Sequence, residues 1–182
     1  MTDAPAADGP VAVTAADVAE DGALRDALVG LNNAHAVELS WLEPDRFGRL
    51  VAEAFAAMRI GDGDALLLAF DHDADYDSPN FLWFRSRFDR FVYVDRIVVA
   101  SRARGRGHAR RLYRRLFDRA ARAGHGRIVC EVNSDPPNPE SDAFHAALGF
   151  EVVGVATIHG GAKTVRYLVR DLRAEDRDAV SG

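Results

Sequence analysis

The sequence predicts a mixed α/β fold with a strand-rich centre, and three observations carry that prediction. Residues 91–99 (FVYVDRIVV) form an apolar run ending in three β-branched side chains, the pattern of a buried strand. Residues 109–123 place Ala109, Leu112, Tyr113, Leu116, Phe117 and Ala120 at helical spacing, while Arg110, Arg111, Arg114, Arg115, Arg119 and Arg122 face elsewhere. Short apolar segments flank glycine turns at Gly61-Asp62-Gly63 and Gly160-Gly161, as hairpins require. A chain of 182 residues, 48% hydrophobic and 28% charged, is long enough to bury one ordinary core.

The elements follow in order. Residues 1–10, rich in Ala, Pro, Gly and Asp, read as a flexible tail, and residues 175–182 as another, leaving a single domain over 11–174. A short strand at 11–14 leads into a helix over 22–33, where Leu24, Leu28 and Leu31 recur at helical spacing. Pro44 suits the first turn of a second helix whose apolar face is Phe47, Leu50, Val51 and Ala54. Residues 55–60 and 65–70 pair as a hairpin, with the boundary at Phe55 open because FAAMRI could also prolong the helix. Residues 71–79 read as a loop. Gly124 stops the helix over 109–123, residues 127–132 form a buried strand, and residues 141–148 form a short helix capped by Gly149. Residues 150–158 and 164–172 close the chain as a hairpin.

Composition excludes several classes. No apolar run approaches the roughly 18 residues that span a bilayer, so no membrane partner is expected. The start, MTDAPAADGP, has neither a basic n-region nor an apolar h-region, so a secretory signal is not expected. A lone Cys130 rules out an internal disulfide and a CxxC zinc site, and reads as a small buried hydrophobe. The expected location is the cytoplasm. Net charge is −5, but residues 81–127 hold 14 bases against 3 acids, while residues 1–80 hold 4 bases against 16 acids. Such a division marks a segment that meets an anion, although 22 of the 23 bases are Arg, which a general Arg-for-Lys usage also explains.

The basic block contains the informative motif, a strand followed by SRARGRGHA and a helix. Gly105 and Gly107 leave backbone N–H groups unshielded just ahead of a helix N-terminus, where amides and helix dipole together favour a pyrophosphate. A Walker A loop does not fit, because the single Lys163 lacks the GxxxxGK[ST] spacing. A dinucleotide GxGxxG does not fit either, because Arg110 stands at the third glycine.

Arg104-Gly105-Arg106-Gly107-His108-Ala109 resembles the [QR]-x-x-G-x-[GA] signature of the GCN5-related N-acetyltransferases, in its usual place between a long strand and a helix. Asn138, Ser141 and Phe144-His145-Ala146-Ala147-Leu148-Gly149-Phe150 resemble that family's N-x-x-A-x-x-F-Y-x-x-L-G-F segment. The resemblance covers residues 91–158 and is diffuse upstream. It implies a mostly antiparallel central sheet flanked by helices, with a V-shaped splay between two central parallel strands. It also implies a single acetyltransferase domain that transfers an acetyl group from acetyl-CoA directly to a primary amine, here of a small molecule. Backbone groups of Ile97, Val98 and Val99 should pair with the pantetheine arm, amides of Arg104, Gly105, Arg106, Gly107, His108, Ala109 and Arg110 should hold the pyrophosphate, and Asn138 should touch the cofactor. No covalent enzyme intermediate is implied.

The chemistry needs a polarised thioester oxygen, a base for the amine and a proton for the leaving thiolate. The family commonly gives the last task to the tyrosine of the F-Y pair, and this chain has His145 there. An imidazole with an ordinary pKa of about 6.5 is only partly protonated near neutrality, so His145 is an acid, a water relay, an orienter of the thiol or a packing residue. Asp95 and Glu131 are the carboxylates available as base, Glu131 sharing one strand face with Asn133. Asp95 could equally pair with an arginine, and a water chain would also serve. Asn32, Asn33 and His35 fall where the family builds its acceptor pocket, and helix capping is the alternative for the Asn pair. Trp83, Tyr93 and Asn133 are further substrate-side candidates.

Other features carry less. Asp71-His72-Asp73-Ala74-Asp75-Tyr76-Asp77 begins like an EF-hand, but Tyr76 stands where Gly is required and Leu82 where Glu is required. The loop instead suits attraction of a cationic amine by Asp73, Asp75 and Asp77. His72, His108, His125 and His159 show no ligand spacing, so no metal is expected. Residues 80–91 interleave five aromatics with Arg85, Arg87 and Arg90, which would suit single-stranded nucleic acid, but a loop packing aromatics over the active site is the preferred reading. The alternatives are a non-catalytic acyl-CoA-binding or regulatory domain and a nucleic-acid-binding module. Partners are thus acetyl-CoA and an amine, with no nucleic acid, and a homodimer is left open.

Overall fold

In the computed structural model, which describes residues 9–172, the chain begins with β1 (Val11–Ala12) and turns at Thr14 into α1 (Ala15–Glu20). The tails expected at 1–10 and 175–182 lie outside the described residues, apart from positions 9 and 10. Thr14 and Asp17 close a capping box, each side chain serving the other's backbone N–H. This helix was not expected, since it is six residues long and buries only Val18, too little for a periodic signal. The remaining elements are α2 (Gly22–Asn33), α3 (Ala36–Leu39), α4 (Pro44–Glu53), β2 (Ala56–Ile60), β3 (Ala65–Asp71), α5 (Pro79–Arg85), β4 (Val92–Val99), α6 (His108–Arg122), β5 (Arg127–Asp135), α7 (Pro139–Ala147), β6 (Glu151–Ile158) and β7 (Lys163–Asp171). The strands form one mixed, mostly antiparallel sheet in the order β1-β2-β3-β4-β5-β7-β6, flanked by helices as the family resemblance implies.

The chain groups into two compact units. One comprises the chain up to Ala69 with Arg96–Leu116, the other Phe70–Asp95 with the chain from Phe117 on. In the first unit β1, β2 and β3 pair antiparallel, Met58 facing Leu67 and Ile60 facing Ala65. Ala65–Ala69 are all fully buried, which explains why the segment reads as a continuous apolar run rather than an alternation. Asp64 accepts the amide of Ala100 at 2.8 Å through its backbone and Arg102 at 2.7 Å through its carboxylate, which fixes the chain leaving β4.

In the second unit β5 pairs antiparallel with β7 over nearly its whole length, and β7 pairs with β6. The parallel ladder joins Val92 to Ile128 and Tyr93 to Val129. Strand β5 runs to Asp135, three residues beyond expectation, because β7 offers partners as far as Thr164. The connection at 79–85 is a helix, not the loop expected. Pro79 starts α5 without wasting a donor, and Phe81 and Phe84, three apart, are both fully buried. Aromatic residues are indifferent helix formers, so burial of that pair decides the conformation.

Candidate active site

Three residues along β4, namely Asp95, Ile97 and Val99, share its partly exposed face, while Arg96 and Val98 are buried. The chain then turns through residues 101–103, and Gly105 and Gly107 adopt φ of 76° and 75° before α6 begins at His108. Those left-handed conformations are why glycine stands at both places. A Cβ there would meet nothing within 4 Å, so backbone torsion and not crowding sets the requirement. Arg104, Arg106 and Arg110 are exposed around the turn, and His108 is buried, in contact with the Arg111 guanidinium at 2.7 Å. Arg111 also donates to the carbonyl of Arg106 at 3.2 Å. The loop thus presents unshielded amides, the positive end of a 15-residue helix and three cationic side chains, which fits a pyrophosphate.

The second unit assembles a carboxylate network. Glu131 Oε1 accepts from Asn80 Nδ2 at 2.8 Å and from the Tyr93 hydroxyl at 3.1 Å, and Asn80 Oδ1 in turn accepts from the Tyr167 hydroxyl at 3.0 Å. Glu131 Oε2 is buried and has no hydrogen-bond partner among the described residues. Burial, reinforced by the charge of Asp95, pushes the Glu131 pKa up to about 8. Burial raises Tyr93 well above the phenol range and Tyr167 to about 12, so both stay protonated as donors. Asp95 Oδ1 accepts from Tyr76 at 2.7 Å.

The remaining sequence candidates fall as follows. Asn32 is fully buried: it accepts Arg96 at 2.7 Å and donates to the carbonyl of Ser40 at 3.0 Å. Asn33 binds both the amide and the carbonyl of Leu42, at 2.8 and 2.9 Å. His35 is half-buried at the start of α3. Trp83 stacks on Tyr167, with ring centroids 4.0 Å apart, and carries the Arg87 guanidinium on its ring at 4.0 Å. Tyr93 is fully buried, a partner of Glu131, and Asn133 is buried with its carbonyl accepting the amide of Asn138. The Asn138 side chain caps α7, accepting from the Ser141 amide at 3.2 Å.

His145 lies in the last turn of α7, 2% exposed. Its Nδ1 lies 2.8 Å from the Ser141 carbonyl, which can only accept, so Nδ1 carries the proton and Nε2 the lone pair. Burial lowers its pKa, which keeps the ring neutral. Gly149 at φ 84° ends the helix: its amide reaches the Ala146 carbonyl at 3.0 Å, and that of Phe150 reaches the His145 carbonyl at 3.1 Å. This is a Schellman turn, and the His145 and Phe150 rings meet edge to face at 5.2 Å, the apolar contact that accompanies such a turn.

Asn80, Tyr76 and Tyr167 were not anticipated. Their partners are 51, 19 and 87 residues away, and no local pattern announces such pairs.

Residues 74–150 match the model of the acetyltransferase (GNAT) family. No curated protein matches the chain at a significant level. Among solved structures, Ard1 from Thermoplasma volcanium superposes with TM-score 0.66 at 11% identity, covering 90% of this chain and 97% of that one. A Salmonella typhimurium protein solved with its cofactor acetyl-CoA gives TM-score 0.62 at 20% identity, covering 90% and 93%. The spermidine N-acetyltransferase of Vibrio cholerae gives 0.59 at 16% identity, covering 90% and 92%. At these identities the likeness is one of fold, and the matched segment includes the Gly105–Gly107 turn and the α7 region. The family match over residues 74–150 and the shared fold together support a GNAT-type, acetyl-CoA-dependent acetyltransferase.

Proposed function

We propose that the chain N-acetylates a primary amine of a small cationic molecule, with Glu131 as the base. The observation that carries this reading is Glu131 itself, a half-buried carboxyl whose Oε1 is held by Asn80 and Tyr93 while Oε2 is left without a partner. With Oε1 accepting two hydrogen bonds, Oε2 is the atom that gains or loses the proton. A pKa of about 8 suits it to take a proton from an ammonium near neutrality. The amine nitrogen then bonds to the thioester carbonyl carbon and sheds its second proton to solvent, the C–S bond breaks, and the thiolate takes a proton from solvent.

His145 is a packing residue in this reading, since a neutral ring with its proton committed to Ser141 has none to give. Amides of residues 104–110 hold the pyrophosphate, and backbone groups of Ile97–Val99 pair with the pantetheine arm, supported by the open turn and the partly exposed face of β4. The exposed carboxylates of Asp75 and Asp77 support a cationic acceptor.

The test is thiol release from acetyl-CoA with a panel of polyamines, amino acids and peptides. Turnover with diamines or polyamines is expected, and Glu131→Gln should lower kcat/KM by about 10²–10⁴-fold while leaving acetyl-CoA affinity unchanged. Turnover with peptides alone would overturn the acceptor class, and an undiminished Glu131→Gln enzyme would overturn the base.

A further inference from the structure

We propose that Asp71, His72 and His125 form a structural binding site for a divalent cation of the Zn2+ class. The three side chains each offer a ligand atom, and those atoms lie within 4.8 Å of one another. His125 Nε2 is 3.1 Å from Asp71 Oδ2, and the His72 Nδ1 pairs with Asp71 Oδ1, so both oxygens of one carboxylate face imidazoles. Bond lengths of about 2.1 Å would set ligand atoms about 3.4 Å apart around a tetrahedral ion, which small side-chain rotations reach from here.

The local chain makes this convergence. Gly124, at φ 80°, ends α6 in a Schellman turn: its amide bonds to Ala121 and the His125 amide to the Ala120 carbonyl, at 3.0 and 2.9 Å. The next side chain, His125, is thereby turned inward and left 1% exposed. His72 follows the end of β3, where its amide donates to the Phe91 carbonyl at 3.2 Å. Ligation through His72 Nδ1 puts its remaining N–H on Nε2, 3.4 Å from Asp73 Oδ1, and a carboxylate on the outer nitrogen is the usual support for a metal-bound imidazole. Two imidazoles and one carboxylate are a borderline nitrogen/oxygen set that suits Zn2+ better than Ca2+ or Mg2+.

The site lies just before the starts of β4 and β5. Asp95 and Glu131 lie three and four residues along those strands, about 10 and 13 Å at about 3.3 Å per residue. The cation therefore takes no part in acetyl transfer: it ties the end of β3 to the turn that opens β5.

The test uses the untagged full chain, stripped with chelator and titrated with Zn2+ by calorimetry and with Co2+ by visible spectroscopy. One ion per chain, a raised melting temperature with Zn2+ and cobalt d–d bands are expected, and His72→Ala and Asp71→Asn should each abolish all three. Long-range 1H–15N spectra of the wild-type imidazoles should show Zn2+ moving the nitrogens of His72 and His125 alone, a readout that stands if either variant fails to fold. Absence of Zn2+ uptake, uptake that survives both substitutions, or shifts confined to other histidines would each overturn the proposal and leave an Asp–His hydrogen-bonded cluster.

Discussion

Glu131 couples activity and stability through one proton. Its folded-state pKa of about 8 exceeds the ordinary 4.5, so the folded chain holds that proton more tightly than the unfolded chain does. As base it works only when ionised, so kcat/KM should climb with pH and level off above about 8, and Glu131→Gln should lose that limb. Stability runs the other way. The contribution is complete below 4.5, is lost as pH rises towards 8, and above 8 the folded state bears a buried charge. The melting temperature of Glu131→Gln relative to wild type should therefore rise between those two limits, as calorimetry at each end would show. His145 has the opposite sense. Burial lowers its pKa below the ordinary 6.5, so its contribution is present above 6.5 and lost as pH falls through the folded value. His145→Asn keeps a donor for the Ser141 carbonyl, and should remove part of the acid lability while leaving the pH profile of kcat/KM unmoved. A vanished limb in that variant would return the proton-transfer role to His145.

At the scale of elements, turns that precede or follow a helix carry most of the specificity. Gly107→Ala forces a Cβ into φ 75° with open space around it, so the cost is torsional, about 1–2 kcal/mol, and the displaced amides should raise the KM for acetyl-CoA more than they lower kcat. Gly154 on β6 differs, because its backbone is ordinary and the constraint is Trp83. A Cβ there would lie 2.5 Å from the indole ring, so Gly154→Ala should cost about 1–3 kcal/mol in urea unfolding and disturb the Trp83–Tyr167 stack. A quenched or shifted tryptophan fluorescence in the variant would register that displacement. The α5 helix, which holds Trp83 and also Asn80, shows why an aromatic-rich stretch reads as a loop in sequence. Its conformation is set by Phe81 and Phe84 entering a core built from Tyr93, Phe91 and Tyr167, and none of those partners is local.

Over the whole molecule, the net charge of −5 conceals an arrangement by segment. The basic block includes the exposed arginines around Gly105 and Gly107, and the acidic stretch at 71–77 leaves Asp75 and Asp77 in solvent. If those carboxylates gather a cationic acceptor, Asp75→Asn with Asp77→Asn should raise the KM for a polyamine at low salt, and the difference should shrink as ionic strength shortens the screening length to about 8 Å. The KM for acetyl-CoA should not move, which steady-state kinetics at two salt concentrations would establish. The sequence by itself determined the strands, the helices α2, α4, α6 and α7, the glycine turn ahead of α6 and the ends of α6 and α7. Each rests on interactions within a few residues, such as a period, a cap or a left-handed glycine. Only the tertiary structure decided that Asn32 and Asn33 brace the α2–α4 connection, that Tyr93 and Asn80 hold Glu131, and that His72 and His125 meet on Asp71. Those pairs join residues 8 to 54 apart, and where a side chain finds its partner across such a span depends on how the whole core packs.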